Sequence, residues 1–223
     1  MARDILADVI KLSEPGGKPL QYPRPMKRLC VYCGSHPGVR PAYAAAATDL
    51  GRLLAERRIE LVYGGGGLGL MGLVANAVLA HGGHVIGVIP HPLKTKEAVH
   101  PGLPDLRVVA GMHERKALMA ELADGFIALP GGFGTYEELC EVLTWSQLGF
   151  HHKPIGLLNT AGFYTSLLHF FDHATTEGFV RPGNRQLVLV EDTVAALLDR
   201  ITAWPLSDGT SASRNPNGGM ALI

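Results

Sequence analysis

Gly125-Phe126-Ile127-Ala128-Leu129-Pro130-Gly131-Gly132-Phe133-Gly134-Thr135-Tyr136-Glu137-Glu138 is the stretch on which the reading of the fold turns. Its first five residues are apolar enough for a strand covered on both faces. A proline and three glycines then break the run, and a helix is expected from about residue 135 to 148. The glycines let backbone amides approach a ligand closely and point the same way. The helix N-terminus adds a partial positive charge. These features together make 130–135 a candidate phosphate turn. A terminus alone contributes about 0.3–1 kcal/mol, or ~2 when partly buried, against about 8 kcal/mol for micromolar affinity. Several amides and at least one cationic side chain must therefore share the task. The competing reading is a plain strand-to-helix turn. On that reading Thr135-x-x-Glu138 is a capping box, and Glu138 only ties down a helix end.

The pattern repeats outward from this stretch. Short β-rich runs occur at 28–33, 60–63, 84–90, 106–110, 154–158 and 187–190. Helical segments are expected near 41–57, 70–81, 114–123, 163–177 and 193–204, the first with Tyr43, Ala46, Ala47, Leu50 and Leu54 on one stripe. Alternation of this kind with nearly all-apolar strands predicts an α/β, Rossmann-like, doubly wound and mainly parallel sheet of about seven strands, helices on both faces. Ligands in such sheets bind beyond the carboxyl ends of the strands, where the Gly-rich segments fall. One domain is expected over 26–204, with an arm at 1–25 rich in Pro and Gly and a flexible tail at 205–223. Residues 91–104, flanked and interrupted by prolines, are a candidate lid.

Composition excludes several classes. With 223 residues and 47% of them hydrophobic, the chain can bury a full core. Twenty basic and twenty acidic residues leave a formal charge of zero, unlike a protein that coats nucleic acid, so any anion must be held locally. No apolar run suits a signal peptide or a membrane span. Three cysteines make a poor disulfide framework. Cys30 and Cys33 are three apart on an expected strand and face opposite ways, which suits a reducing cytoplasm. No metal site is expected, because the His pairs lack acidic or Cys company at ligand spacing.

Three further constellations carry chemistry. Tyr63-Gly64-Gly65-Gly66-Gly67-Leu68-Gly69-Leu70-Met71-Gly72 again runs from strand to helix and contains G-x-G-x-x-G. A dinucleotide site would need a carboxylate at the end of the next strand, yet that strand ends Val88-Ile89-Pro90-His91. A phosphate or ribose contact at Gly65 and Gly66 is the alternative, and close helix–strand packing is the other. Met112-His113-Glu114-Arg115-Lys116 puts two cations at an expected helix start, against the helix dipole, which is either a solvated turn or a local rule broken for function. Gly34-Ser35-His36 follows the first strand, at the edge where Ser35 can touch a ligand; a plain Ser/His turn is the other reading.

Together, P-G-G-x-G-T-x-x-E at Pro130–Glu138, R-K at Arg115-Lys116 and the G-G-G-x-x-G-x-M-G run ending at Gly72 resemble the Lonely Guy (LOG) family of cytokinin riboside 5′-monophosphate phosphoribohydrolases, often labelled lysine decarboxylases. The resemblance runs from about Met26 to Ile201. It implies a cofactor-free homodimeric enzyme that hydrolyses the N-glycosidic bond of a nucleoside 5′-monophosphate, releasing an adenine-type base and ribose 5-phosphate. It also implies that Arg115 and Glu138 are the catalytic pair. Glu97, Lys116 and Thr144 would contact substrate, and Gly131, Gly132, Phe133, Gly134, Thr135 and Glu137 would cradle phosphate and ribose. Phe133 stands where many members have Tyr, and the arm is longer than in compact members. The alternative of another class is a non-catalytic nucleotide or molybdenum-cofactor carrier of related fold, which needs the Gly loops and not the Glu138 carboxylate.

Overall fold

The computed structural model describes residues 25–94 and 99–205. The arm (apart from Pro25), the tail (apart from Pro205) and Glu97 in the middle of the candidate lid lie outside the described residues. Seven strands form one sheet: β1 (Arg28–Tyr32), β2 (Glu60–Tyr63), β3 (Val85–Pro90), β4 (Asp105–Val109), β5 (Gly125–Ala128), β6 (Ile155–Leu158) and β7 (Val188–Glu191). Their order is β4-β3-β2-β1-β5-β6-β7, and every pairing is parallel. The sheet runs outward in both directions from the adjacent strands β1 and β5. The gap above their carboxyl ends is the switch point where ligands enter such folds.

The helices are α1 (Pro41–Glu56), α2 (Gly69–Ala80), α3 (His91–Lys94), α4 (Met112–Leu122), α5 (Phe133–Gln147), α6 (Thr165–Thr176), α7 (Pro182–Arg185) and α8 (Val194–Thr202), with a 3-10 turn at Thr160–Gly162. Alternate residues of each strand feed two cores, as the period of two demands. Leu29 and Val31 pack with Leu50 of α1, Val74 of α2 and Leu197 of α8. Cys30 and Tyr32 pack on the other side with Met119 of α4 and Leu139 and Val142 of α5. The opposite facing of Cys30 and Cys33 follows from this, and both are buried, unpaired thiols.

Two helix starts differ from the expectation, and both bear on the site. α5 opens at Phe133, two residues early, and α4 opens at Met112, also two residues early. In both the N-cap is a glycine on extended backbone, Gly111 and Gly132, with no side-chain cap. The candidate lid holds α3 at its start. Beyond its undescribed residues, Val99 bridges Gly66 and the His100 amide donates to the Gly65 carbonyl at 3.0 Å.

Candidate active site

The carboxyl ends of β1 and β5 are joined by one residue. The Gly34 amide donates to the Pro130 carbonyl at 3.0 Å, and the Gly34 carbonyl accepts from the Leu70 and Met71 amides at 3.0 and 3.4 Å. That carbonyl therefore occupies the first turn of α2. The glycines around it are packing glycines. A Cβ on Gly69, which also has a left-handed φ of 59°, would fall 2.3 Å from the Ser35 backbone, and one on Gly72 would fall 2.2 Å from the Gly67 carbonyl. Close helix–strand packing is thus what the G-x-G-x-x-G run provides, and its helix start has its acceptor already.

The first turn of α5 is the reverse case. The amides of Phe133, Gly134 and Thr135 precede the first helical bond, Tyr136 N to the Gly132 carbonyl at 3.1 Å, and no side chain caps them. A Cβ on Gly132 or Gly134 would meet nothing within 4 Å. The protein itself does not need glycine there, so those hydrogens keep space for something else. Gly131 is different: its Cβ would fall 2.1 Å from the Thr135 hydroxyl, which is buried under the turn. The capping box is accordingly corrected. Thr135 lies inside the helix, Gly132 is the cap, and Glu138 is a full turn further along with its carboxylate unengaged by any cap. Beside this turn a cavity of about 270 Å³ is lined by Ser35, His36, Tyr43, Gly131, Gly132 and Phe163.

Arg115 and Glu138 come together from the α4 and α5 side of the sheet. Arg115 is only 7% exposed. Its Nε donates to the Val88 carbonyl and its Nη2 to the Gly64 carbonyl, each at 3.1 Å, so the guanidinium bridges the ends of β3 and β2. Among the described residues Nη1 reaches only the Met112 sulfur, at 3.8 Å, and keeps donors for a ligand. A Cβ on Gly64 would fall 1.9 Å from Nη2, so glycine at that position is what admits the arginine. The helix-dipole conflict is resolved at the same place. Arg115 and Lys116 are the fourth and fifth residues of α4, their side chains leave toward other elements, and Glu114 accepts the Ala110 amide at 2.8 Å at the helix mouth.

Glu138 is half-buried. Burial pushes its carboxyl up to about 7, opposed by Arg115; Glu137 adds to the rise, Lys116 opposes it and Glu141 adds a smaller push. No hydrogen bond among the described residues holds it. Lys116 contacts Glu137 and, at 3.0 Å, Glu141. Burial pulls the Lys116 ammonium down, and the bonds to the two carboxylates outweigh it, leaving its proton held more tightly than usual. An acid poised near neutrality beside a fixed guanidinium, facing an anion-ready helix end, suits acid–base or electrostatic work on a phosphorylated ligand.

Comparison with known proteins gives the family and the fold. Residues 71–201 match the family model described as possible lysine decarboxylase. A cytokinin riboside 5′-monophosphate phosphoribohydrolase of Arabidopsis thaliana is 56% identical over 178 residues, 80% of this chain and 82% of the relative. The chain belongs to the LOG family. A probable LOG enzyme of rice (Oryza sativa subsp. japonica) is 51% identical over 190 residues, 85% of this chain and 90% of that one. Solved structures give the fold. The molybdenum-cofactor carrier protein of Chlamydomonas reinhardtii superposes with a TM-score of 0.61 at 23% identity, over 79% of this chain and 95% of that one. The molybdenum-cofactor binding protein of Rippkaea orientalis gives 0.59 at 23%, with the same coverage.

Of the residues that the LOG motifs single out, Arg115, Lys116, Glu137 and Glu138 converge on one another, and the 131–135 turn adjoins them. Gly65 and Gly66 line up beside Arg115 through Gly64 and carry the returning strand of Val99 and His100. Ser35 is exposed across the Gly131–Gly132 turn. Thr144 is not brought to the turn. It sits three helical turns along α5, exposed, its hydroxyl donating to the Cys140 carbonyl at 2.7 Å, and lines a separate cavity of about 180 Å³ with Phe171, Val180 and Arg185. Residues missed by sequence reasoning are Gly34 and Gly64, whose packing roles only the strand register reveals, and Glu141. The i, i+4 spacing of Glu137 and Glu141 opposite a Lys-bearing helix is the signal that could have found the last.

Proposed function

We propose that this chain hydrolyses the N-glycosidic bond of adenosine 5′-monophosphate and its N6-prenylated forms, giving the free base and ribose 5-phosphate. The carrying observation is the unfilled first turn of α5, with the Glu138 carboxyl one turn beyond it and the Arg115 guanidinium alongside. Phosphate on the amides of 132–135 brings the ribose next to Glu138. As the C1′–N bond lengthens, positive charge grows on the ribose, and the ionised Glu138 stabilises it. Water then attacks C1′, giving its proton to Glu138 and its hydroxyl to the sugar. The bonding electron pair leaves with the base, where the free Arg115 Nη1 offsets the charge until the nitrogen takes up a proton. Glu137 and Lys116 serve the ribose hydroxyls and phosphate, with Glu97 as a further contact the family motif implies.

We also infer a homodimer and a cytoplasmic setting. Leu148, Phe150, Phe170 and Phe179 are large, exposed apolar side chains, each within three residues in sequence of one that lines the cavity of Gln147, Phe171 and Val180, more than a monomer needs to leave in water. Three free cysteines fit a reducing compartment, and among the described residues no helix is long and apolar enough to cross a membrane. The test is incubation with AMP and with isopentenyladenosine monophosphate, followed by chromatography. Base release that Glu138→Gln and Arg115→Ala abolish supports the hydrolase. Nucleotide bound but uncleaved by the native protein refutes it in favour of a carrier, and full activity in either variant refutes the residue assignment.

A further inference from the structure

Three carboxylates occupy five residues of α5 and, among the described residues, face two cations. Glu137, Glu138 and Glu141 meet Arg115 and Lys116 of α4, while β1 contributes Cys30 and Tyr32, and Cys33 follows it; burial raises each of the three above its ordinary value and leaves it uncharged. Within this group Lys116 has a surplus of partners. Its side chain is 10% exposed and it holds two carboxylates that differ in setting: Glu137 is 53% exposed and next to the ligand turn, Glu141 is 23% exposed and one turn deeper.

A nearly buried ammonium cannot be left without a counter-ion at low cost. If Glu137 were its sole partner, every bond that Glu137 made to a ligand would strand Lys116. The second carboxylate removes that conflict. We propose that Glu141 is a positioning residue, the standing counter-ion of Lys116, which frees Glu137 to leave the ammonium and accept hydrogen bonds from the ribose diol of the ligand. The inference rests on the phosphoribosyl reading of the site and adds to it which carboxylate moves, which stays, and why the helix carries both.

Without Glu141, Glu137 is locked on Lys116, and ligand affinity falls although Glu141 touches no ligand. The probe is ribose 5-phosphate, which carries the diol and the phosphate and has no bond to cleave. Calorimetric binding is measured for the native protein, Glu137→Gln, Glu141→Gln and the double variant. Glu141→Gln is expected to weaken binding on the order of five- to tenfold, and the double variant to bind no more than about twofold worse than Glu137→Gln, a coupling that independent sites do not show. With 2-deoxyribose 5-phosphate, which lacks one diol hydroxyl, the effect of Glu141→Gln is expected to shrink to less than about threefold. A structural role would weaken both sugars alike. Native affinity in Glu141→Gln, multiplying effects in the double variant, or equal losses on the two sugars each overturn the proposal. Adenine release from AMP is assayed alongside. Release by the native protein with an additive cycle sinks Glu141 alone, and no release with a coupled cycle sinks the hydrolase reading alone.

Discussion

Gly64→Ala is the perturbation that tests the Arg115 assignment without touching Arg115. The added Cβ falls 1.9 Å from Nη2 and 3.1 Å from the guanidinium carbon. Ordinary contact begins near about 3.5 Å, so the guanidinium must retreat by roughly 1.5 Å. Both carbonyl bonds, to Gly64 and Val88 at 3.1 Å, then stretch beyond hydrogen-bonding range. The Gly64 backbone is outside the left-handed region, so alanine adds no backbone strain. The obstructing atom is the end of a flexible side chain, and the fold survives with a loss of about 1–3 kcal/mol from two charge-assisted bonds. Catalysis does not survive so well, since a displacement of about 1 Å costs on the order of a hundredfold. The variant is expected to release adenine from AMP about a hundredfold more slowly, with KM changed less than about threefold because the α5 turn is untouched. Combined with Arg115→Ala, it is expected to add nothing. Steady-state chromatography of adenine, with a thermal melt to confirm folding, reads all of this. A folded Gly64→Ala protein with kcat within threefold of native refutes the bridging role, as does a double variant markedly slower than Arg115→Ala alone.

Gly132→Ala has the opposite profile: its Cβ meets nothing in the protein, so the melting temperature stays native while KM for AMP rises about tenfold or more, read in the same assay. Glu138 weakens the fold as pH rises. With its carboxyl at about 7 folded and near 4.5 unfolded, the native state keeps a proton that the unfolded chain releases; stability therefore falls between pH 4.5 and 7 and is flat on either side. The full linkage is up to about 3 kcal/mol, trimmed by solvent at a half-buried group, so Glu138→Gln is expected to be about 1–3 kcal/mol more stable than native at pH 8 in urea unfolding, and equal to it at pH 4.5. The same ionisation makes native activity rise toward a plateau above about pH 7, measured as a kcat/KM profile. Phe170→Ser with Phe179→Ser is expected to shift the protein toward monomer in sedimentation at micromolar concentration while preserving its circular dichroism.

The sheet was legible because its strands are buried on both faces and therefore read as short, almost wholly apolar runs; their ends shift by a residue or two where Gly or Pro blurs the edge. Helix starts were less legible. A Thr and a Glu three apart read as a cap, yet the helix opens two residues earlier, at Phe133, and Gly132 in the cap position brings no side chain to engage the first amides. The two glycine runs look alike as letters. They differ in whether a distant carbonyl already occupies the helix start, and that depends on Gly34 lying across the sheet from both. Arg115 and Lys116 were found as an oddity of charge placement. The partners of Arg115, the Gly64 and Val88 carbonyls, are set by parallel register between strands whose ends lie 51 and 27 residues away, which no local pattern encodes; Glu141 meets Lys116 only because α5 packs beside α4.

The distinction between a carrier and a hydrolase lies in one side chain. A carrier of this fold has no need of the Glu138 carboxyl, and the likeness to the molybdenum-cofactor proteins at 23% identity reaches only the fold. It gains nothing from a half-buried carboxyl placed among two other carboxylates and raised to about 7, because such a group weakens the folded state at neutral pH. Retaining a destabilising group at the mouth of a ligand site makes physical sense where the group changes charge during a reaction. Arg115 points the same way. A guanidinium fixed by two backbone carbonyls, with one amino group left over, is rigid before the ligand arrives, and rigidity of that kind serves charge that appears only as a bond breaks.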